Sequence, residues 1–81
     1  MNADEIKILL ETQLADCDVK VEADGSHVNI IVIGNIFESK RSVQRQQLVY
    51  AALREHIASG TIHAVNMKTY SKHEWQQLTS S

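Results

Sequence analysis

Proline is absent from this 81-residue chain, cysteine occurs once, and glycine occurs three times. Each scarcity excludes something. A single thiol, Cys17, permits no intramolecular disulfide, and a lone cysteine fits a reducing compartment. No apolar run approaches the roughly 18 residues of a membrane span. The first twenty residues have the spacing of an amphipathic helix studded with acids, not a basic stretch followed by an apolar one, so no signal peptide is expected. These absences predict a cytoplasmic protein with no membrane partner. Catalytic signatures are missing as well: there is no glycine-rich phosphate loop, no Cys-x-x-Cys and no His-Glu-x-x-His. Cys17 reads as an inert, partly buried thiol rather than a nucleophile, and the chain as a non-enzyme.

What remains is enough for one domain, residues 1–81. A chain of this length buries only about 60–65% of its unfolded surface, so its core is thin, but 43% hydrophobic residues can build one without staples. The net charge of −2 is unevenly placed. Residues 1–24 carry seven acids against Lys7 and Lys20, a balance of −5, while residues 25–81 carry three acids against six bases, a balance of +3. A two-signed surface suits a protein partner better than nucleic acid, which favours a clearly basic domain.

Along the chain, Asn2-x-x-Glu5 forms a capping-box pattern, and Ile6, Leu9, Leu10 and Leu14 follow at helical spacing, predicting a helix over 3–15. Val19, Val21 and Ala23 alternate with Lys20 and Glu22 in strand fashion, and Asp24-Gly25 is a hairpin signal. Residues 27–34 are rich in β-branched types and predict a central, more deeply buried strand. A loop over 35–41 precedes the main helix, 42–59, with Val43, Val49, Tyr50, Leu53 and Ile57 assigned to its apolar face. Gly60 sits where a glycine ends a helix. A third strand is predicted over 62–68. Ser71-x-x-Glu74 is a second capping box, opening a short helix with Trp75 and Leu78 inward. The order α-β-β-α-β-α implies a hairpin plus a right-handed parallel crossover. The expected fold class is α+β, a two-layer domain with a three-stranded mixed sheet and helices on one face.

Of the four histidines, His56 and His73 lie within helices and read as surface or structural residues. His27 opens the second strand and His63 the third. If those strands are parallel neighbours, both imidazoles emerge at one edge of the sheet, a plausible two-imidazole site. Scattered histidines are more often not ligands.

The stretches His27-Val-Asn-Ile-Ile-Val-Ile-Gly-Asn-Ile-Phe-Glu38, Ser42-Val-Gln-Arg-Gln-Gln-Leu-Val-Tyr50 and Ile62-His-Ala-Val-Asn-Met-Lys-Thr-Tyr70, with Trp75, resemble the BolA family, most of all its IbaG (YrbA)-like branch. The likeness covers nearly the whole chain. Two positions depart from the family pattern: Ser39 stands where glycine is usual after Phe-Glu, and Arg45-Gln46 where Arg-His is frequent. The resemblance implies a BolA-like fold akin to a type II KH domain. The Gly-x-x-Gly signature of nucleic-acid-binding KH domains is absent. The resemblance also implies a non-catalytic adaptor in iron–sulfur cluster trafficking. Such a protein binds a monothiol glutaredoxin and shares a bridging 2Fe-2S cluster, held on the other side by the partner's thiolate and glutathione. The metal ligand implied is His63 of the Ile-His-Ala motif, with His27 as the candidate second ligand. Imidazole in place of thiolate is reasonable cluster chemistry.

Two surfaces complete these expectations. Lys40, Arg41, Arg45 and Lys68 are expected to border the glutaredoxin interface. The alternative is a DNA-binding transcriptional regulator that uses Arg41, Gln44, Arg45 and Gln47 around residues 40–47. The oligomeric state stays open, a homodimer included.

Overall fold

The computed structural model describes residues 2–25 and 27–80. Its elements are α1 (Ala3–Gln13), β1 (Cys17–Asp24), β2 (His27–Gly34), a single 3-10 turn (Asn35–Phe37), α2 (Ser42–Ala58), β3 (Ala64–Tyr70) and α3 (Lys72–Thr79). The sheet order is β1-β2-β3, with β1 antiparallel and β3 parallel to β2. The class, the element order and the central place of β2 are those expected from the sequence.

Both capping boxes form. The Asn2 side chain accepts from the Glu5 N–H at 2.8 Å, and the Ser71 hydroxyl accepts from the Glu74 N–H at 3.1 Å. Each satisfies a helix-end donor that would otherwise lack a partner. Asp24 pairs with His27 across a tight turn in which Gly25 has φ +62°; Ser26 lies outside the described residues. Gly60, at φ +79°, ends α2 by donating to the Ile57 carbonyl at 3.1 Å.

The core lies between the sheet and the pair α1 and α2. Val28, Ile30 and Val32 of β2 point into it, alternating with exposed His27 and Asn29. Against them pack Ile6, Leu10 and Leu14, Val49 and Leu53, and Phe37 and Ile62. The last helix meets the end of β2 and β3, where the Trp75 ring packs 5.3 Å from that of Tyr70.

Several expectations shift. Helix α1 stops at Gln13, and Leu14 is buried just beyond it, its N–H still bonded to the Leu10 carbonyl. Strand β3 begins at Ala64 rather than 62, because Ile62 turns inward as a plug, 2% exposed, before pairing starts. On α2 the stripe that faces the core is Leu48, Val49, Ala52, Leu53 and Ile57. Val43 and Tyr50 are instead 63% and 43% exposed. At 100° per residue, Tyr50 and Val43 fall on the far side of Leu53 from the stripe's centre. Leu78 is exposed on α3 rather than inward, and Trp75 is half-buried.

Candidate functional site

Parallel pairing of β2 with β3 sets His27 opposite Ala64. His63, one residue earlier in the chain, therefore sits beside the start of β2. Two local features present it to solvent. Gly60 reverses the chain after α2, and Ile62 anchors the connection by burying its side chain and donating its N–H to the His56 carbonyl. The next side chain then points away from the core, and His63 is exposed, its ring passing over Gly60. His27 is exposed as well, with Asp24 as its cross-strand neighbour. The structure thus brings the two predicted imidazoles to one end of the sheet.

Among the described residues no three histidine, cysteine or carboxylate side chains are grouped so as to hold a metal ion. Two imidazoles alone are half a coordination set, which a cluster would complete only with ligands from elsewhere. Cys17 cannot supply one. It pairs with Gly34 at the opposite end of β2, roughly 23 Å away at the usual strand rise. Its thiol is held above its ordinary pKa, first by partial burial and then by Asp16 and Asp18, so it stays protonated at neutral pH.

One step along the sheet from His27, the Asn66 amide donates to the Asn29 side-chain oxygen at 3.3 Å. Sequence reading missed this pair, since nothing links residues 29 and 66 until the register is known. Strand alternation puts His27, Asn29 and Ile31 with Ala64, Asn66 and Lys68 on the sheet face opposite the core. Lys68 therefore shares a sheet face with His27, four residues along from Ala64.

The other basic residues do not. Lys40 and Arg41 precede α2, which starts at the far end of the sheet, and both are exposed; the Lys40 amine reaches back to the Ile36 carbonyl at 2.8 Å. Arg45 is tied into the fold. Its Nε donates to the Lys40 carbonyl at 2.9 Å, and its terminal nitrogens meet Glu74 at 2.6 and 3.4 Å and the Thr69 carbonyl at 3.3 Å. Its guanidinium also stands 6.0 Å from the Phe37 ring centre. Of the four residues named for DNA, Gln44 is used too, accepting from the Arg41 N–H at 3.1 Å. Arg41 and Gln47 are exposed. The basic group thus divides into Lys68, midway along the sheet face that carries His27, a pair at the far end, Lys40 and Arg41, and a structural tie, Arg45.

Residues 1–74 match the family model described as BolA-like protein. The chain is 41% identical over 75 residues to the acid stress protein IbaG of Escherichia coli K12, covering 93% of this chain and 89% of that one. It is 38% identical over 79 residues to an uncharacterized protein of Acinetobacter guillouiae, covering 98% and 95%. A BolA protein homologue from Coxiella burnetii superposes with a TM-score of 0.84 at 36% identity, covering 94% of this chain and 97% of that one. No helix among the described residues is long and apolar enough to cross a membrane. Motifs, topology and these likenesses agree along nearly the whole length: the chain belongs to the BolA-like protein family.

Proposed function

We propose that this protein is a non-catalytic adaptor that binds a monothiol glutaredoxin and shares a bridging 2Fe-2S cluster with it, the cluster being cargo rather than a resident group. The observation that carries the reading is the convergence of His27 and His63 at one end of the parallel β2–β3 pair. Two exposed imidazoles, with no third such side chain grouped with them to hold a metal among the described residues, form a half-site, and a half-site is what a shared cluster needs. In this reading His63 is the principal ligand and His27 the second. The partner contributes a cysteine thiolate and bound glutathione.

The docking surface in this reading is the open sheet face next to the histidines, including the Asn29–Asn66 pair and Lys68. Lys40 and Arg41 lie at the opposite end and are placed outside the footprint. The proposal rests on the cytoplasmic, reducing setting expected from the lone cysteine, in which thiolates and glutathione are available.

The test is to mix the protein with a cluster-loaded monothiol glutaredoxin and glutathione, then follow the visible spectrum and the size of the complex. The expected result is a one-to-one heterocomplex with a spectrum distinct from that of the glutaredoxin alone. A cluster that stays on the glutaredoxin, with an unchanged spectrum and no heterocomplex, would sink the proposal.

A further inference from the structure

On the sheet face opposite the core, cross-strand register sets the side chains in rows. The row at the histidine end holds Asp24, His27 and Ala64. The next holds Glu22, Asn29 and Asn66, and the one after it Lys20, Ile31 and Lys68. Rows follow one another at about 6.6 Å, two residues of strand rise. Beyond them Ile33 and Tyr70 share a row, and the Trp75 ring, 5.3 Å from that of Tyr70, closes the end. Two adjoining hollows run along this face between β2 and β3. One, of about 290 Å³, extends from His27 and Ala64 to the two asparagines. The other, of about 160 Å³, extends from the asparagines to Ile31 and Lys68. Together they lie at the low end of small-ligand sites.

The polar groups along this trough are largely unpartnered. Asn66 gives one amide N–H to the Asn29 oxygen at 3.3 Å, and neither side chain makes another hydrogen bond among the described residues. The Asn29 amide donors and the Asn66 oxygen are left side by side and exposed. A donor beside an acceptor at this spacing is the complement of one peptide unit. In the next row Lys20 and Lys68 flank Ile31, both exposed and neither ion-paired among the described residues. The two rows nearer the histidines end in acids on β1, so the lysine row is where an anion is favoured. From the histidine end the order is imidazole, then amides, then ammonium groups.

We propose that the trough holds reduced glutathione, its cysteinyl-glycine amide on Asn29 and Asn66 and its glycine carboxylate between Lys20 and Lys68. The choice of ligand rests on the adaptor function proposed for the histidine end, where the glutathione thiolate would lie. In that tripeptide the thiol and the glycine carboxylate flank a single amide, in the order in which the rows run. The flexible four-carbon stems of the lysines let their ammonium groups reach back toward the shorter ligand. This chain, and not its partner alone, then reads the glutathione.

The test is a titration of the isotope-labelled protein, without metal or glutaredoxin, followed by NMR. Reduced glutathione should move the side-chain amide signals of Asn29 and Asn66, with a dissociation constant of about 1–10 mM. Its glycine ethyl ester, which lacks the terminal charge, should bind at least about threefold more weakly. Lys68→Ala should weaken glutathione by a similar factor and leave the ester unchanged, a selective loss that general damage to the fold would not produce. Arg41→Ala, at the far end, should change neither. No movement of these signals up to about 50 mM, or equal binding of acid and ester by the parent protein, overturns the proposal. A glutaredoxin heterocomplex formed by a chain that ignores glutathione would remove this proposal and keep the adaptor function. Glutathione binding with the expected selectivity but no heterocomplex would do the reverse.

Discussion

Arg45 and Glu74, 29 residues apart, form a two-pronged ion pair that ties the start of α2 to α3. The same carboxylate accepts the Ser71 N–H at 2.7 Å. The Arg45 hydrogen bond first, and the Ser71 N–H next, hold the Glu74 pKa at about 2, down from an ordinary 4.5. A depressed carboxylate stabilises the fold fully above its unfolded pKa and loses that contribution as pH falls through the folded one. Glu74→Gln should therefore lower the denaturant midpoint at pH 7. The gap between variant and parent should close as pH falls from 4.5 toward 2. The carboxylate is 46% exposed, so solvent screening keeps the effect modest. A gap unchanged between pH 5 and pH 2 would show that the ion pair is not the cause.

Leu53 is fully buried and Tyr50 is not, although apolar character alone puts both on one face. Leu53→Ala should cost roughly 2–5 kcal/mol, a large share of the stability of so small a domain. Tyr50→Ala should cost less than about 1 kcal/mol. Urea melts of the two variants decide the helix face, and similar losses would place Tyr50 in the core.

Ser39 occupies the left-handed region at φ +64°, where a side chain is strained. Ser39→Gly should stabilise by about 0.5–1 kcal/mol, relief of strain outweighing the added freedom of the unfolded chain. Gly60→Ala, at φ +79°, should cost about 1 kcal/mol, because the new methyl has room and only the backbone objects. Thermal melts of opposite sign are the expected outcome.

Gly34 lies against Cys17, and a methyl added there would fall 2.5 Å from the Cys17 sulfur. Gly34→Ala should therefore destabilise by roughly 1–3 kcal/mol. Cys17→Ala should recover much of that loss in the double variant. A double-mutant cycle with no coupling would mean that glycine is required for another reason.

For the cluster, His63→Ala should abolish the mixed-ligand spectrum of the glutaredoxin complex and leave the fold intact, since the side chain is exposed. His27→Ala should weaken the cluster or alter its spectrum, and His56→Ala and His73→Ala should do neither. Lys68→Glu should slow association at low salt more than Arg41→Glu, because Lys68 shares the sheet face that bears His27. A His63 variant that forms the same complex, with the same spectrum and lifetime, removes it as a ligand.

Periodicity, caps and turn residues were read correctly because they act within a few residues. The two capping boxes, the Asp24-Gly25 hairpin and the glycine stop at residue 60 are examples. The convergence of His27 and His63 also followed from the strand–helix–strand order, which fixes direction. What escaped depends on contacts distant in sequence. Glu74 showed only its local role at Ser71, and nothing near Arg45 revealed that its charge is consumed across 29 residues. The Asn29–Asn66 pair needed the register. Val43 and Tyr50 have apolar character but lie outside the core stripe by helical angle. Small Ala52 carries the core stripe while a large Tyr50 stands outside it.

Strand β2 has one neighbour reached by a tight turn and another that must wait for residues 35–63 to be organised. Closing the longer loop costs more chain entropy before any contact rewards it. The hairpin is therefore set to form early, and β3 with α3 late. Of the two histidines, His27 belongs to the early half and His63 to the late one. A brief opening of the β3 edge would separate the two imidazoles without unfolding the rest, so backbone amide exchange along β3 should be faster than along β1. The lifetime of anything held between the two histidines would then be set by the rate at which that one strand detaches.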